Sequence, residues 1–441
     1  MTRWGAGSLL KLPDIAKIGG GIIITAPASG SGKTTVTLGL LRALLQRGIP
    51  VRSAKSGPDY IDPAFHAAAT GAPCVNLDAW AMTPDRIRGL AAGPGMLVIE
   101  GAMGLFDGAP PDGKGATADL AAILGLPVVL VIDAAKMAQS VAAIALGFSN
   151  HNKNIRVKAV ILNNVGSARH EAMLRRALAP TGLQVLGAVH RQPELSHPSR
   201  HLGLVQAAER PDLMNFLIRA ASLAETALDL DGLISLAGTA NPLPKIEQKP
   251  WAPAQRIAVA RDLAFGFIYS HLLADWRRAG AEIQFFSPLA DDVVPSADLI
   301  YLPGGYPELY AGQIAAASKF MQSLRKASQV SDIYGECGGY MVMGSGLTDA
   351  SGQNHAMAGL LDLETSFATR KLHLGYRQLR VDGGRFKGHW SGHEFHYACT
   401  MRASGTAFLA ACDAEGQELP PMGLTHGRAA GSFAHLIDRA T

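Results

Sequence analysis

Apolar residues in the first half of the chain come in short, nearly unbroken runs. The runs are rich in Val, Ile, Leu and Ala, and they cover residues 21–26, 51–55, 96–100, 128–133, 157–163 and 185–189. Strands buried on both faces have this composition, whereas half-exposed strands alternate apolar and polar residues. Stretches of helical character separate the runs. The pattern therefore predicts an α/β fold with a doubly wound parallel sheet.

A polar stretch punctuated by proline divides the chain near its middle. It contains Pro242, Pro244, Pro250 and Pro253 and has no apolar period, which is typical of an interdomain linker. A second α/β pattern follows, with strands expected at 256–260, 282–286, 299–302 and 332–334 and a helix within 266–280. Short strands are expected at 360–363, 375–381 and 388–397. We expect one domain over residues 1–238, a linker over 239–254 and a second domain over 255–441.

Composition and charge mainly exclude functions. The chain has 441 residues, of which 48% are hydrophobic and 17% charged, as in globular proteins. Its net charge of +4 is scattered without a basic run, which argues against nucleic-acid binding. Four single cysteines argue against a disulfide framework and indicate a reducing cytoplasm. We recognise no signal peptide and no charge-free apolar run of about 18 residues, so no membrane segment is expected.

A glycine-rich loop follows the first predicted strand and opens a helix. It reads A-P-A-S-G-S-G-K-T-T from residue 26 to 35, a variant of the phosphate loop in which Pro27 replaces the usual first glycine. Backbone N–H groups at such a helix start bind phosphate, the lysine reaches the terminal phosphates, and the threonine hydroxyl reaches Mg²⁺. An ordinary Gly/Ser turn is the alternative, which the strand–loop–helix context disfavours. The ATP-binding residues predicted here are Ser29, Gly30, Ser31, Gly32, Lys33, Thr34 and Thr35.

Two carboxylates follow neighbouring predicted strands. Asp59 lies in K-S-G-P-D-Y-I-D-P after the second strand, and Glu100 ends the third. Ligands of open α/β sheets bind beyond the carboxyl ends of the strands, and Mg²⁺ takes hard oxygen ligands beside phosphates. Turn formation at Pro58-Asp59 is the alternative explanation. Next to a phosphate loop we favour Thr34, Asp59 and Glu100 as Mg²⁺ ligands.

A cysteine in the second domain has the surroundings of a nucleophile. Cys337 lies in Y-G-E-C-G-G-Y, where small neighbours permit a sharp strand-to-helix turn. The start of a helix is expected to lower the pKa of this thiol. His435, in G-S-F-A-H, can serve as the base, although a buried structural thiol and a core histidine are the alternatives. Gly304, Gly305 and Gly338 supply N–H groups for an oxyanion hole.

The segment His393-Glu394-Phe395-His396 invites a metal interpretation, which we reject. Zinc motifs of the H-E-x-x-H type place their histidines four apart on a helix. On a strand, His393 and His396 would point to opposite faces.

Together these motifs resemble the cobyrinic acid and hydrogenobyrinic acid a,c-diamide synthase family of vitamin B12 biosynthesis. The resemblance covers nearly the whole chain and includes L-P-G-G-Y-P-E-L, E-G-A-M-G-L-F-D-G and G-H-E-F-H-Y. It implies a domain similar to dethiobiotin synthetase followed by a class I glutamine amidotransferase-like domain. It also implies a ligase that activates the a and c acetate carboxylates of a corrinoid acid with ATP and Mg²⁺ and amidates them with ammonia from glutamine.

The resemblance extends to particular positions. It implies that Tyr60, Ile61, Asp62 and Asp107 face the corrinoid and its activated carboxylate, with Asp107 taking part in catalysis. It places an adenine contact at Asn163, and the glutaminase reaction at Cys337 and His435. A cytoplasmic enzyme is expected, and a homodimer is one assembly compatible with the sequence.

One position departs from the pattern of class I amidotransferases. They carry His-x-Glu, whereas Ile437 lies two residues after His435 here. If this stretch is extended, Asp438 takes the opposite face from His435 and does not reach the imidazole. We therefore expect a Cys–His dyad whose ring is oriented by a backbone carbonyl or a water molecule.

Several functions remain as alternatives. Cobyric acid synthase and nickel-sirohydrochlorin diamide synthase belong to the same reaction class, and the K-S-G-P-D-Y-I-D-P motif favours the a,c enzyme over the first. A partitioning-type P-loop ATPase belongs to another class and has no use for Cys337. The sequence leaves open whether the corrin contains cobalt, and the ending H-L-I-D favours the metal-free branch.

Overall fold

The computed structural model describes residues 20–192, 199–200, 203–239, 246 and 249–440. Residues 1–12, where a signal peptide would lie, are outside the described residues, as is half of the predicted linker. We refer to residues 20–239 as the N-terminal half and to residues 249–440 as the C-terminal half. No helix among the described residues is long and apolar enough to cross a membrane.

A seven-stranded parallel sheet forms the centre of the N-terminal half, which confirms the predicted fold class. Its strand order is β3-β2-β4-β1-β5-β6-β7. The strands are β1 (Gly21–Thr25), β2 (Val51–Ser56), β3 (Val75–Leu77), β4 (Met96–Glu100), β5 (Pro127–Asp133), β6 (Arg156–Val165) and β7 (Gln184–His190). The helices are α1 (Lys33–Gln46), α2 (Asp62–Thr70), α3 (Pro84–Ala91), α4 (Thr117–Leu124), α5 (Ser140–His151), α6 (Ala168–Leu178), α7 (Leu213–Ala227) and α8 (Leu230–Gly238).

Both faces of this sheet are covered, as its apolar runs require. Ile22 and Ile24 of β1 pack in a buried cluster with residues of α1, α2, α7 and α8. Ile23, between them, points to the other face and packs with residues of α3, α4, α5 and α6. Successive side chains of a strand alternate faces, so a strand without polar positions needs a helical layer on each side.

The C-terminal half contains a second, mostly parallel sheet of order β11-β10-β12-β13-β23-β22, a mixed four-stranded sheet and an antiparallel five-stranded sheet. A two-stranded ribbon, β8 (Ser199–Arg200) and β9 (Gly203–Leu204), precedes it. Its first strands are β10 (Arg256–Ala260), β11 (Glu282–Phe286), β12 (Leu299–Leu302), β13 (Asp332–Glu336), β14 (Gly346–Thr348), β15 (Asn354–Ala356) and β16 (Asp362–Ser366). They are followed by β17 (His373–Val381), β18 (Gly388–His396), β19 (Cys399–Ser404), β20 (Leu409–Cys412), β21 (Glu418–Met422), β22 (Leu424–His426), β23 (Ala429–Ser432) and β24 (His435–Arg439). The helices are α9 (Ser270–Arg278), α10 (Ala311–Ala316), α11 (Ser318–Ala327) and α12 (Gly338–Met343).

The two halves share buried surface. One apolar cluster runs from β1 and β4 into the C-terminal half, where it includes Trp276, Trp390 and Ile437. Arg86 of α3 adds a polar contact, because it pairs with both Asp275 of α9 and Asp438 of β24. The carboxyl ends of the first sheet are thereby held close to β24, which begins at His435.

Candidate active sites

The glycine-rich loop has the form that phosphate binding requires. Gly30 and Gly32 adopt φ values of 80° and 85°, a region that L side chains rarely enter. A Cβ at Gly32 would collide with the amide of Asn163, so only glycine fits. Lys33 is the first residue of α1 and is buried, and burial and the nearby Lys55 cation lower the pKa of Lys33. The loop thus presents backbone N–H groups and a partly desolvated cation at one helix start.

Asn163 contacts the loop directly. Its Nδ2 donates to the carbonyl oxygen of Ser31 at 2.9 Å, and its side chain is buried. Ser31 is also fixed by its own hydroxyl, which donates to Ala28 O at 2.8 Å. The structure therefore places Asn163 beside the predicted nucleotide site, and an adenine contact through its remaining oxygen stays a prediction.

Glu100 is the centre of a buried polar network. Its Oε1 accepts from the Thr34 hydroxyl at 2.7 Å and from Lys55 Nζ at 3.0 Å, and its Oε2 lies 2.7 Å from His66 Nε2. Burial opposes ionisation, but Lys55 and His66 outweigh it and hold the pKa of Glu100 below its usual range. Thr34 and Glu100, which the sequence predicts as metal ligands, are in direct contact.

Lys55 and His66 are functional candidates that the sequence did not identify. Lys55 Nζ donates to Asp62 Oδ2 at 2.6 Å as well as to Glu100, and burial is outweighed by these two carboxylates, which raise its pKa. Lys55 lies within the predicted strand over 51–55, so the pattern along the chain assigns it a structural place only. The basic residue at the end of β2 is the signal that could have identified it, because ligands gather at the carboxyl ends of parallel strands.

Asp59, in the loop after β2, and Asp62, the first residue of α2, have different surroundings. Asp62 is buried, and its carboxylate accepts a hydrogen bond from Lys55. Its predicted contact with the substrate stays a prediction. Asp59 Oδ1 accepts from the backbone N–H groups of Ile61 and Asp62 at 2.8 and 3.2 Å, whereas its Oδ2 is 3.9 Å from Lys55 Nζ. Burial and the neighbouring Asp62 raise the pKa of Asp59 to about 7. This acidic group lacks a full counter-charge.

Asp107 faces the phosphate loop from the segment after β4. Its Oδ2 accepts from the backbone N–H of Gly104 at 2.9 Å, and its side chain is exposed. The negative charge of Asp107 acts on Lys33 and favours its charged form. The structure thus brings Asp107 near the predicted position of the terminal phosphate.

Cys337 occupies a strained turn between β13 and α12. Its φ of 46° is rare for a residue with a Cβ, and its backbone N–H donates to Ser432 O at 2.8 Å. Such a turn lifts the thiol out of the backbone path. The prediction that the helix start lowers its pKa is wrong. Burial first, and then the charge of Glu308, raise the pKa of Cys337, and the N–H of Gly338 offsets this only in part.

The three predicted oxyanion-hole glycines surround this thiol. A Cβ at Gly304 would collide with His435 and would lie 3.3 Å from Cys337 Cβ. A Cβ at Gly338 would lie 3.0 Å from the backbone nitrogen of Gly305. A side chain at any of these three positions would collide with its neighbours, so glycine is required here, and an oxyanion hole formed by their N–H groups stays a prediction.

His435 begins β24 and is buried between both halves. The ring of Tyr60, from the N-terminal half, lies with its centroid 5.0 Å from that of His435. His435 Nδ1 is 3.4 Å from Glu336 Oε2 and has no hydrogen-bond partner among the described residues. Asp438 instead binds Arg86 at 2.7 Å, as expected for an extended stretch.

A second polar group lies behind the thiol. Glu394 of β18 accepts from Arg377 at 2.8 Å and lies 3.0 Å from His396, and His373 stacks on His396. His373, Glu394 and His396 each bring one nitrogen or oxygen atom within 4.8 Å of the other two. Arg377 forms an ion pair with the Glu394 carboxylate, and the rejection of a zinc motif in this segment stays a prediction.

Two clefts open between the halves beside Tyr60. One has a volume of about 470 Å³ and is lined by Tyr60, Ile61 and Phe267. The other, of about 370 Å³, adjoins Asp59 and Tyr60. Tyr60 and Ile61, predicted to face a substrate, therefore line accessible space near the carboxylate site.

Comparison with known protein families finds a match for each half. Residues 22–205 match the CobQ/CobB/MinD/ParA nucleotide binding domain, and residues 256–440 match the CobB/CobQ-like glutamine amidotransferase domain. The first match agrees with the phosphate loop, and the second agrees with the thiol site.

Curated relatives match almost the full length. Three proteins named hydrogenobyrinate a,c-diamide synthase, from a Sinorhizobium species, Brucella abortus and Rhodobacter capsulatus, are 53%, 54% and 51% identical to this chain. Each alignment covers 95% of this chain and 98–99% of the relative. A solved glutamine amidotransferase aligns over 41% of the chain and 89% of its own length, with 16% identity and a TM-score of 0.29, which is too weak a likeness to bear on the fold.

Proposed function

The chain belongs to the hydrogenobyrinate a,c-diamide synthase family, and on that premise we propose that it converts the a and c carboxyl groups of hydrogenobyrinate into carboxamides with ATP and glutamine. The observation that carries the proposal is the identity above 50% over 95% of the chain. Two separate sites of suitable chemistry support it. In this proposal residues 1–238 carry the ligase reaction and residues 255–441 carry the glutaminase reaction.

The glutaminase reaction begins at Cys337. His435 accepts the thiol proton, and the thiolate attacks the side-chain amide carbon of glutamine. Burial raises the pKa of the Cys337 thiol, so in this proposal the thiol depends on His435 as its base. N–H groups of Gly304, Gly305 and Gly338 stabilise the oxyanion. Ammonia leaves with a proton from His435, and water then hydrolyses the thioester to glutamate.

The ligase reaction takes place at the phosphate loop. A carboxylate resists attack by ammonia, and phosphorylation by ATP turns its oxygen into a good leaving group. Loop N–H groups and Lys33 hold the phosphates and neutralise the charge on the transferred phosphoryl group. In this proposal Asp107, whose charge acts on Lys33, orients the activated carboxylate. Ammonia then attacks the acyl phosphate, and phosphate leaves.

A magnesium ion fits the residues beside the loop. Asp59 carries an acidic group with an incomplete counter-charge, and the hydroxyl of Thr34 lies against Glu100. Thr34, Asp59 and Glu100 would hold the ion, and all three offer the hard oxygen atoms it prefers. Bound there, Mg²⁺ supplies positive charge to the phosphates.

Ammonia must pass from the C-terminal half to the N-terminal half. Tyr60 contacts His435 and follows Asp59, so it lies between the two candidate sites. The clefts beside Tyr60 lie in the same region, and Ile61 also lines one of them. We assign the corrinoid to this region between the halves.

Product analysis tests the substrate. Hydrogenobyrinate, cobyrinate and a sirohydrochlorin are each incubated with ATP, Mg²⁺ and glutamine, and the products are identified by mass spectrometry. The proposal expects two carboxamides on hydrogenobyrinate as the preferred reaction. Preference for a sirohydrochlorin, or amidation of more than two carboxyl groups, would replace it with one of the related synthase activities.

A further inference from the structure

The buried imidazole of His435 has an open hydrogen-bonding position. Its Nδ1 has no partner among the described residues, although only 1% of the side chain is exposed. A catalytic histidine needs its second nitrogen held, because otherwise the ring turns and the proton resides on the wrong atom. The group that faces Nδ1 is the carboxyl group of Glu336, with Oε2 at 3.4 Å.

We propose that Glu336, the residue immediately before the nucleophile, is the positioning residue for His435. The site would then be a Cys337–His435–Glu336 triad whose acid comes from β13 and not from the strand of the histidine. This inference rests on the proposed glutaminase reaction and identifies a residue that acts through His435. A shift of roughly 0.5 Å would bring Nδ1 and Oε2 to an ordinary hydrogen-bond distance of about 2.9 Å.

Glu336 is held firmly enough for this role. Its Oε2 accepts from the Tyr301 hydroxyl at 2.8 Å, and its Oε1 accepts from the Tyr334 hydroxyl at 3.1 Å. The backbone N–H of Leu436 also donates to Oε1 at 3.1 Å. Glu336 therefore binds the residue next to His435 and ties β24 to β13. A carboxylate oxygen has two lone pairs, so Oε2 can accept from both Tyr301 and His435.

The other acids near His435 are directed elsewhere. The position two residues on is the buried Ile437, and Asp438 is paired with Arg86. Glu394 is bound by Arg377 and His396. Glu336 is thus the acid whose oxygen faces Nδ1.

A charged carboxylate in this position has a predictable effect on pH dependence. It stabilises the protonated imidazole that forms when Cys337 loses its proton, so removal of the charge should disfavour that form. Other titratable groups also lie around His435: Cys337 before α12, His393 across from it on β18 and Tyr60 of the N-terminal half. Glu308 and Glu394 act on Cys337, and Tyr301 donates to Glu336. These groups are the same in the parent and in a Glu336 variant, so a difference between their pH profiles reports the effect of Glu336.

The test uses Glu336→Gln in the full-length enzyme, with glutaminase kcat/KM measured against pH and amidation from ammonium chloride measured in parallel. We expect kcat/KM to fall at least about tenfold, or about 1.4 kcal/mol, and its acidic limb to move to lower pH. Ammonia-dependent amidation should stay within about threefold of the parent, which shows that the protein is folded. A parental pH profile together with parental kcat/KM would overturn the role of Glu336.

A second variant keeps the test decisive if Glu336→Gln fails to fold. Tyr301→Phe removes the hydroxyl that shares Oε2 and leaves the charge in place, so the acidic limb should move in the opposite direction, to higher pH. An unmoved acidic limb in Tyr301→Phe would contradict the proposal.

Cys337→Ala separates this inference from the proposed function. If Cys337→Ala keeps glutamine-dependent activity, the glutaminase assignment fails. If Cys337→Ala is inactive with glutamine and Glu336→Gln behaves as the parent, only the triad is refuted.

Discussion

Tyr60 of the N-terminal half packs on His435 of the C-terminal half, with ring centroids 5.0 Å apart. The same tyrosine ring also stacks with the rings of Phe267 and Tyr269, with centroid distances of 5.1 and 4.4 Å. Tyr60 directly follows Asp59, a candidate metal ligand. The adjacent residues Asp59 and Tyr60 therefore lie between the proposed ATP site and the proposed base of the glutaminase.

Replacement of Tyr60 should uncouple the two reactions. In Tyr60→Ala the contact with His435 is lost and the space between the halves opens to water, which protonates ammonia. We expect glutamine-dependent amidation to fall at least about tenfold more than ammonia-dependent amidation, with glutamate release exceeding amide formation. Tyr60→Phe keeps the ring and serves as the control. Equal losses with both nitrogen sources would contradict a coupling role.

Asp438 should be dispensable for glutamine hydrolysis. It binds Arg86 across the interface and does not face the imidazole of His435. We expect Asp438→Asn to change glutaminase kcat/KM by less than about tenfold, while His435→Asn nearly abolishes it. Asp275→Asn, which removes the other partner of Arg86, is the matched control. A larger loss in Asp438→Asn than in Asp275→Asn would assign Asp438 a direct role.

Removal of the charge of Glu100 should abolish amidation from either nitrogen source. Glu100→Gln keeps the shape but weakens the contacts with Thr34, Lys55 and His66. Glutamine hydrolysis should survive, because Cys337 and His435 lie in the other half. Asp59→Asn should act in the same way, and Asp112→Asn, at an exposed acid, should behave as the parent. Parental ammonia-dependent turnover by Glu100→Gln would remove Glu100 from the metal site.

His393 should make the fold sensitive to acid. Burial, followed by the charges of His435 and Arg377, lowers the pKa of His393 to about 3. Its unfolded pKa is about 6.5, so the unfolded state binds the proton more readily between these values. The stabilisation is present above about pH 6.5 and is lost as the pH falls towards 3, by up to about 1.4 kcal/mol per pH unit.

Urea denaturation of the parent and of His393→Gln at several pH values between 6.5 and 4 measures this effect. The free energy of unfolding of the parent should fall more steeply with acid than that of the variant. Parallel curves would show that His393 takes up its proton in the folded protein as easily as in the unfolded chain.

Continuous apolar runs were enough to predict the main sheet. A strand buried on both faces can be predicted from its own residues, which are almost all apolar, as in Pro127–Asp133. β3, at Val75–Leu77, was missed because three residues provide too short a pattern. The nucleotide loop was equally local, since its glycines and Lys33 are adjacent in sequence.

The thiol site could be predicted only in part. Cys337 and its glycines form a local motif, but burial by distant segments reversed the expected direction of its pKa shift. Glu336 was visible in the motif, yet its relation to His435 depends on the packing of β24 against β13, about a hundred residues apart in sequence. Lys55 was similarly hidden, because its partners Asp62 and Glu100 come together only in the folded sheet.

Isotope tracing from glutamine tests the central claim most directly. The parent enzyme and Cys337→Ala are each given hydrogenobyrinate, ATP, Mg²⁺ and glutamine labelled with ¹⁵N at the amide, and then unlabelled glutamine with ¹⁵N-ammonium. The account predicts that the parent places ¹⁵N from glutamine in both carboxamides, whereas Cys337→Ala places none from glutamine and still forms both amides from ammonium. Transfer of the glutamine label by Cys337→Ala, or failure of that folded variant to use ammonium, would contradict two separate sites joined by ammonia.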